Sequence, residues 1–207
     1  MKPSKDNARR DRILTCSAGL FRHRGYERTS VRDIAEAAGI TSGSLFYHFA
    51  SKEDLLVAVM LEGLQSVTTA VAGAWNREAP LAERIEQMLG CHLAGLLGPN
   101  LDAMTVLLFE SRSLSPEALR RVYARSSSYE QLWAQAIAAA TAQGLVDGDA
   151  VLVRQAVLGA LNWTAQWYRP GGRLGVDALA ARMFAFLFPR LARTASAPTI
   201  LETEEMK

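Results

Sequence analysis

The tightest constraint on this chain lies between Ser30 and Phe49, where two stretches too short to be stable as isolated helices each carry a cap and meet at a single glycine. Ser30 can accept from the amide of Asp33, and the Asp33 carboxylate can accept from the Ser30 amide in return. Val31, Ile34, Ala35 and Ala38 then recur at helical spacing as a buried stripe, and Gly39 ends the run. Ile40 is apolar, and Thr41 or Ser42 can cap a second short helix that contains Leu45, Phe46 and Phe49. Helices this short hold only by packing on neighbours, so this corner must be braced from both sides.

The flanking sequence supplies those braces. Upstream, a helix is predicted over about 9 to 24, with Ile13, Leu14, Ser17, Leu20 and Phe21 on one face, arginines on the other and Gly25 placed for a left-handed cap. Downstream, Ser51 with Asp54 opens a long helix through Leu55, Leu56, Val59, Met60, Leu64, Val67 and Val71 to about Trp75. Apolar spacings of three and four predict further helices near 80 to 97, 102 to 113, 116 to 143, 149 to 168 and 176 to 193. The expected fold is all-α, eight to nine helices, with a small head at 1–50, a helical body at 51–193 and a flexible tail at 194–207. The last two helices are apolar around most of their circumference, which calls for burial on both sides, as in a two-fold dimer.

Charge adds a direction. Through Arg32 the chain has nine Lys or Arg against three acidic residues, a balance of +6, whereas the whole chain has a net charge of only +2. A positive field at one end suits a polyanion. No run of about 18 to 20 uninterrupted apolar residues and no signal peptide is read, so a cytoplasmic protein without membrane contact is expected. Cys16 and Cys91 have no partner motif, and His23, His48 and His92 are the only histidines. With no nucleophile elbow, phosphate-cradling glycine loop or metal-ligand spacing, no catalysis, metal or cofactor is expected.

A helix that enters the major groove needs small polar residues on its outer face. The stretch TSGSLFYHF meets that demand, with Leu45 and Phe49 turned to the core. Ser44 and His48, four apart, are assigned to base edges, with Ser42 and Gly43 at the groove floor. Thr29, Thr41, Tyr47 and Lys52 are assigned to phosphates, because a cation in the first turn of a helix gains nothing from the helix dipole.

Taken together, GLFRHRGYERTSVRDIAEAAGITSGSLFYHFASKEDLL resembles the N-terminal domain of the TetR family of bacterial repressors almost position for position, over about residues 9 to 56. The resemblance implies a homodimer whose C-terminal helices pair in a four-helix bundle, a pseudo-palindromic double-stranded DNA operator, and a small-molecule effector that shifts the spacing of the two heads. Candidate effector contacts are aromatic or polar residues on otherwise buried helices: Phe109, Arg112, Tyr123, Tyr129, Trp133, Asn162, Trp163, Gln166, Trp167, Tyr168 and Arg169. The segment LGALNWTAQWYRPGG is similar to the same helix end in TetR-family repressors of fatty-acid and sterol-ring breakdown, which implies an acyl-coenzyme A thioester as effector. Arg112, Arg120, Arg121, Arg125, Arg169 and Arg173 are cations that its phosphates could use. The competing readings are a repressor of efflux that senses drugs or other lipophiles, and a DNA-binding dimer with no ligand.

Overall fold

The computed structural model describes residues 5–74 and 78–195. The described residues form ten α-helices and no strand: α1 Lys5–Arg24, α2 Val31–Ala37, α3 Ser42–His48, α4 Lys52–Gly73, α5 Leu81–Leu97, α6 Leu101–Phe109, α7 Pro116–Ala142, α8 Ala150–Trp167, α9 Val176–Leu187 and α10 Pro189–Ala195. The end expected for α4 at Trp75 and most of the expected tail, 196–207, lie outside the described residues.

The predicted caps form. The Ser30 amide donates to Asp33 Oδ2 at 2.8 Å and the Asp33 amide to Ser30 Oγ at 3.1 Å. The Ser30 hydroxyl, which donates to Asp33 Oδ2 at 2.6 Å, and then the Ser30 amide hold the Asp33 carboxyl below the usual carboxylate range. Thr41, not Ser42, caps α3 by accepting from the Ser44 amide at 3.2 Å. Ser51 caps α4 through the Asp54 amide at 3.0 Å. Each such cap is worth about 1 kcal/mol. Gly25 and Gly39 take φ of 83° and 63°, the left-handed conformation that ends α1 and turns α2 into α3 without a Cβ penalty.

Two apolar clusters meet along α4. One gathers Ile13, Phe21, Ile34, Leu45 and Phe49 of the first three helices onto Leu55, Leu56 and Met60, and continues into Val106, Leu114, Ala118 and Val122. The other joins Leu64, Val67 and Val71 of α4 to Ile85, Met88, Leu89, Trp133, Leu161 and Phe184. The head therefore does not close on itself at residue 50, because α6 and α7 complete its core. α4 is long and apolar enough by composition to cross a membrane, but here it packs between α1, α5, α6 and α7.

Three boundaries differ from expectation. α1 starts at Lys5, earlier than predicted. α6 stops at Phe109 and a 3₁₀ turn, Ser111–Ser113, follows. The helix expected over 176 to 193 breaks at Phe188, φ −130° and ψ 59°, because Pro189 bars its predecessor from the α region, and α10 then runs to Ala195.

Candidate DNA interface and effector cavity

α3 stands out from the head with its polar flank in solvent. Tyr47 is 81% exposed and Phe46 50%. Thr41 and Gly43 are exposed, and Ser42 and Ser44 half-buried. The Thr41 hydroxyl, besides capping, donates to Ser44 Oγ at 3.2 Å. Lys52 extends over the Tyr26 ring, Nζ 4.0 Å from its centroid, and so stands at the foot of α4 beside the α1–α2 turn. Arg28 and Arg32 are exposed nearby in sequence.

Two residues assigned to DNA are placed otherwise. Thr29 is fully buried, and its hydroxyl donates to the Gly25 carbonyl at 2.8 Å, so it closes the α1–α2 turn and cannot meet a phosphate. The His48 side chain is only 5% exposed, with Nε2 3.7 Å from Asp6 Oδ1, so its ring braces α3 against the start of α1 and is not offered to a base. Phe46 was missed as an outward residue. Its position one residue beyond Leu45 puts it about 100° round the helix from the buried stripe, which is legible from spacing alone.

Beneath α4 lies a cavity of about 370 Å³ whose walls come from five helices and one turn. Leu64, Val67, Met104, Leu107, Leu108, Leu119, Val122 and Leu158 make it apolar. Ser111, Tyr123, Ser126, Tyr129, Glu130, Gln155, Asn162 and His92 supply polar groups. That volume falls within the range of small-molecule sites. A larger cleft, about 560 Å³, separates the end of α3 from α7 and includes Arg10, His48, Asp54, Glu62, Arg121 and Arg125. It is an open, charged groove between head and body, less suited to hold a lipophilic ligand than the apolar cavity.

The cavity brings together three of the nominated effector residues, Tyr123, Tyr129 and Asn162. Trp133 is fully buried in the core behind it. Trp163, Gln166 and Trp167 lie on an exposed face of α8, and Phe109, Arg112 and Arg169 are exposed elsewhere. These residues do not line the cavity. Arg169 and Tyr168 border a separate shallow cleft with Arg173.

His92, which nothing in the sequence marked as a contact, also lines the cavity. It is fully buried, and Nδ1 is bonded to the Tyr129 hydroxyl. Burial pushes its pKa down to about 4, with Asn162 acting in the opposite sense, so the ring is neutral at physiological pH. Burial likewise raises the Tyr129 phenol.

The head is tied to the cavity walls. Arg22 of α1 pairs with Asp102 of α6 at 2.5 Å, and Arg121 of α7 with Asp54 of α4 at 2.9 Å. The Ser115 amide, just before α7, donates to Glu53 Oε1 at 2.6 Å. Leu119, Val122 and Tyr123 line the cavity on the same helix as Arg121, so α7 joins the cavity wall to the first turn of α4, which follows α3 in the chain.

A capped two-helix corner with an exposed polar helix, mounted on a helical body with an apolar-walled cavity, has the build of a helix-turn-helix DNA-binding regulator. Residues 13–59 match the family model for bacterial regulatory proteins of the tetR family, and residues 78–191 match the model for a tetracyclin repressor-like C-terminal domain. The chain belongs to the TetR family of transcriptional regulators. It is 30% identical over 200 residues to the transcriptional repressor KstR2 of Rhodococcus jostii RHA1, covering 91% of this chain and 94% of that protein. Among solved structures, AibR in complex with isovaleryl coenzyme A and operator DNA is 30% identical, with a TM-score of 0.80 over 87% of this chain and 98% of that one. The superantigen PfiT is 38% identical, with a TM-score of 0.72 over 90% of this chain and 97% of that one.

Proposed function

We propose that the protein is a cytoplasmic homodimeric repressor that binds a pseudo-palindromic operator through α3 and is released by an acyl-coenzyme A thioester of lipid or sterol breakdown. In this reading Ser42, Gly43 and Ser44 meet base edges while Thr41, Tyr47 and Lys52 hold phosphates. The exposed Phe46 adds an apolar surface suited to a thymine methyl group. His48 sets the pose of α3 and does not read a base.

The observation that carries the effector part is the cavity of about 370 Å³ under α4, coupled to the head through Arg121–Asp54 and Ser115–Glu53. Its apolar walls suit an acyl chain or an alicyclic ring, with Tyr123, Tyr129 and Asn162 as contacts. The exposed Arg112, Arg120 and Arg125 are available to the phosphates. The names of the relatives support the class: AibR was solved with an acyl-coenzyme A, and KstR2 of Mycobacterium tuberculosis is called a ketosteroid regulator. A cationic drug fits less well, because the cavity carboxylate, Glu130, is answered by Arg154 at 3.6 Å.

By linkage, an effector that favours a head spacing unable to span the operator weakens DNA binding by the same factor that DNA weakens effector binding. Two heads on a two-fold dimer reach half-sites roughly 34 Å apart, so a displacement of a few Å is enough to lose register. The test is a titration of fluorescent DNA from the region upstream of the protein's own gene, with and without a series of acyl-coenzyme A thioesters. Release by one of them, and not by free coenzyme A, is expected. Sequence-specific binding that no thioester alters would remove this effector class.

A further inference from the structure

His92 interrupts an α5 stripe otherwise made of Met88, Leu89, Leu93 and Leu96, and it does so at the cavity wall. Its Nδ1 is bonded to Tyr129, whereas its Nε2 and the indole Nε1 of Trp133 are buried with no hydrogen-bond partner. His92 stacks on Tyr129 with centroids 6.0 Å apart and meets Trp133 edge to face at 6.2 Å. Buried polar atoms without partners are costly and uncommon, and leucine or phenylalanine could fill the same space without that cost. Such a cluster beside an apolar cavity is what a ligand-recognition group looks like before its ligand arrives.

We propose that His92, oriented by Tyr129, recognises a neutral oxygen on the buried end of the effector, a ketone, ester or hydroxyl oxygen that accepts from Nε2–H. This rests on the reading of the cavity as the effector site. The proton placement follows from the neighbours. Burial raises the Tyr129 pKa, so the phenol keeps its proton. Where that proton is donated to Nδ1 of His92, the neutral ring carries its own hydrogen on Nε2. Asn162, which also lines the cavity, is close enough to act on the ring and can share the incoming oxygen. The cavity lining includes no lysine or arginine, so a carboxylate or phosphate is disfavoured at this end.

The test is a matched pair of ligands, 2-decalone and decalin, titrated into the full-length protein by tryptophan fluorescence and thermal shift. The wild type should bind the ketone at least tenfold more tightly than the hydrocarbon. His92→Leu should bind both alike, at the affinity of the wild type for decalin, and His92→Gln, which keeps a side-chain N–H, should retain part of the preference. Tyr129→Phe should reduce the preference severalfold and carries the test if His92→Leu does not fold. Equal binding of the two compounds by the wild type, or an unchanged preference in Tyr129→Phe or His92→Leu, overturns the role of His92 and leaves the cavity reading intact. Binding of neither compound overturns both.

Discussion

Thr29 shows how a residue that looks suited to a phosphate serves the fold. Its hydroxyl bonds the Gly25 carbonyl inside the head, so Thr29→Val leaves that carbonyl without this donor at a cost of about 1–3 kcal/mol. A lower melting temperature with an unchanged ratio of specific to unrelated DNA binding is expected. Full stability with weakened DNA binding would return Thr29 to the interface. On α3 the outcomes should divide. Ser44→Ala should narrow the gap between operator and unrelated DNA, whereas Tyr47→Phe and Lys52→Ala should weaken both about equally, as read by anisotropy on the two DNAs. His92 gives a pH signature. Its folded pKa of about 4 lies below the unfolded value near 6.5, so the unfolded chain binds the extra proton as pH falls through that window. Stability should be full above about pH 6.5 and decline by up to ~3 kcal/mol toward pH 4. Melting curves from pH 7.5 to 4.5 should show a steeper loss for the wild type than for His92→Gln.

At the scale of elements the junction of α7 with the start of α4 is the part most able to carry a signal. Asp54 is held below the ordinary carboxylate range, by Arg121 first and by Ser51 second, so the ion pair is present at neutral pH and is lost as pH falls through the carboxylate range. Arg121→Ala should leave ligand affinity and basal DNA binding close to wild type while reducing the fold-change that ligand produces in DNA affinity. An undiminished fold-change would place the coupling elsewhere, with Arg22–Asp102 the next contact to test. Element positions were legible wherever a local rule fixed them. Ser30 with Asp33, Thr41, Ser51, Gly25 and Gly39 each act within four residues, and each behaves as its chemistry requires. The break at Pro189 was within reach of the same rules, since proline restricts the residue before it. The end of α6 was not, because the sequence around Glu110 contains neither glycine nor proline. The cavity was least legible. α8 is apolar on nearly every side, so periodicity could not show that Asn162 faces inward while its neighbour Trp163 is 60% exposed.

For the whole molecule, the large apolar side chains that α8 and α9 leave in solvent call for a partner. Leu152, Trp163, Trp167 and Phe186 are 69, 60, 49 and 81% exposed, far more than a lone protomer gains from. A second copy related by a two-fold axis would cover them, and Phe186→Asp with Trp163→Asp should convert a dimer to a monomer in light scattering and abolish operator binding at nanomolar protein. A dimer that survives both substitutions would place the interface on another face. If one cavity and one DNA-reading helix are linked through α4, each site must alter the other's affinity by the same factor. The affinity for the releasing thioester should be measured on the free protein and on the protein saturated with operator. The two values should differ by the same factor, in the same sense, as the operator affinities measured with and without thioester. Thioester affinity that is identical in the two states, alongside thioester-dependent loss of DNA binding, would contradict linkage between the sites.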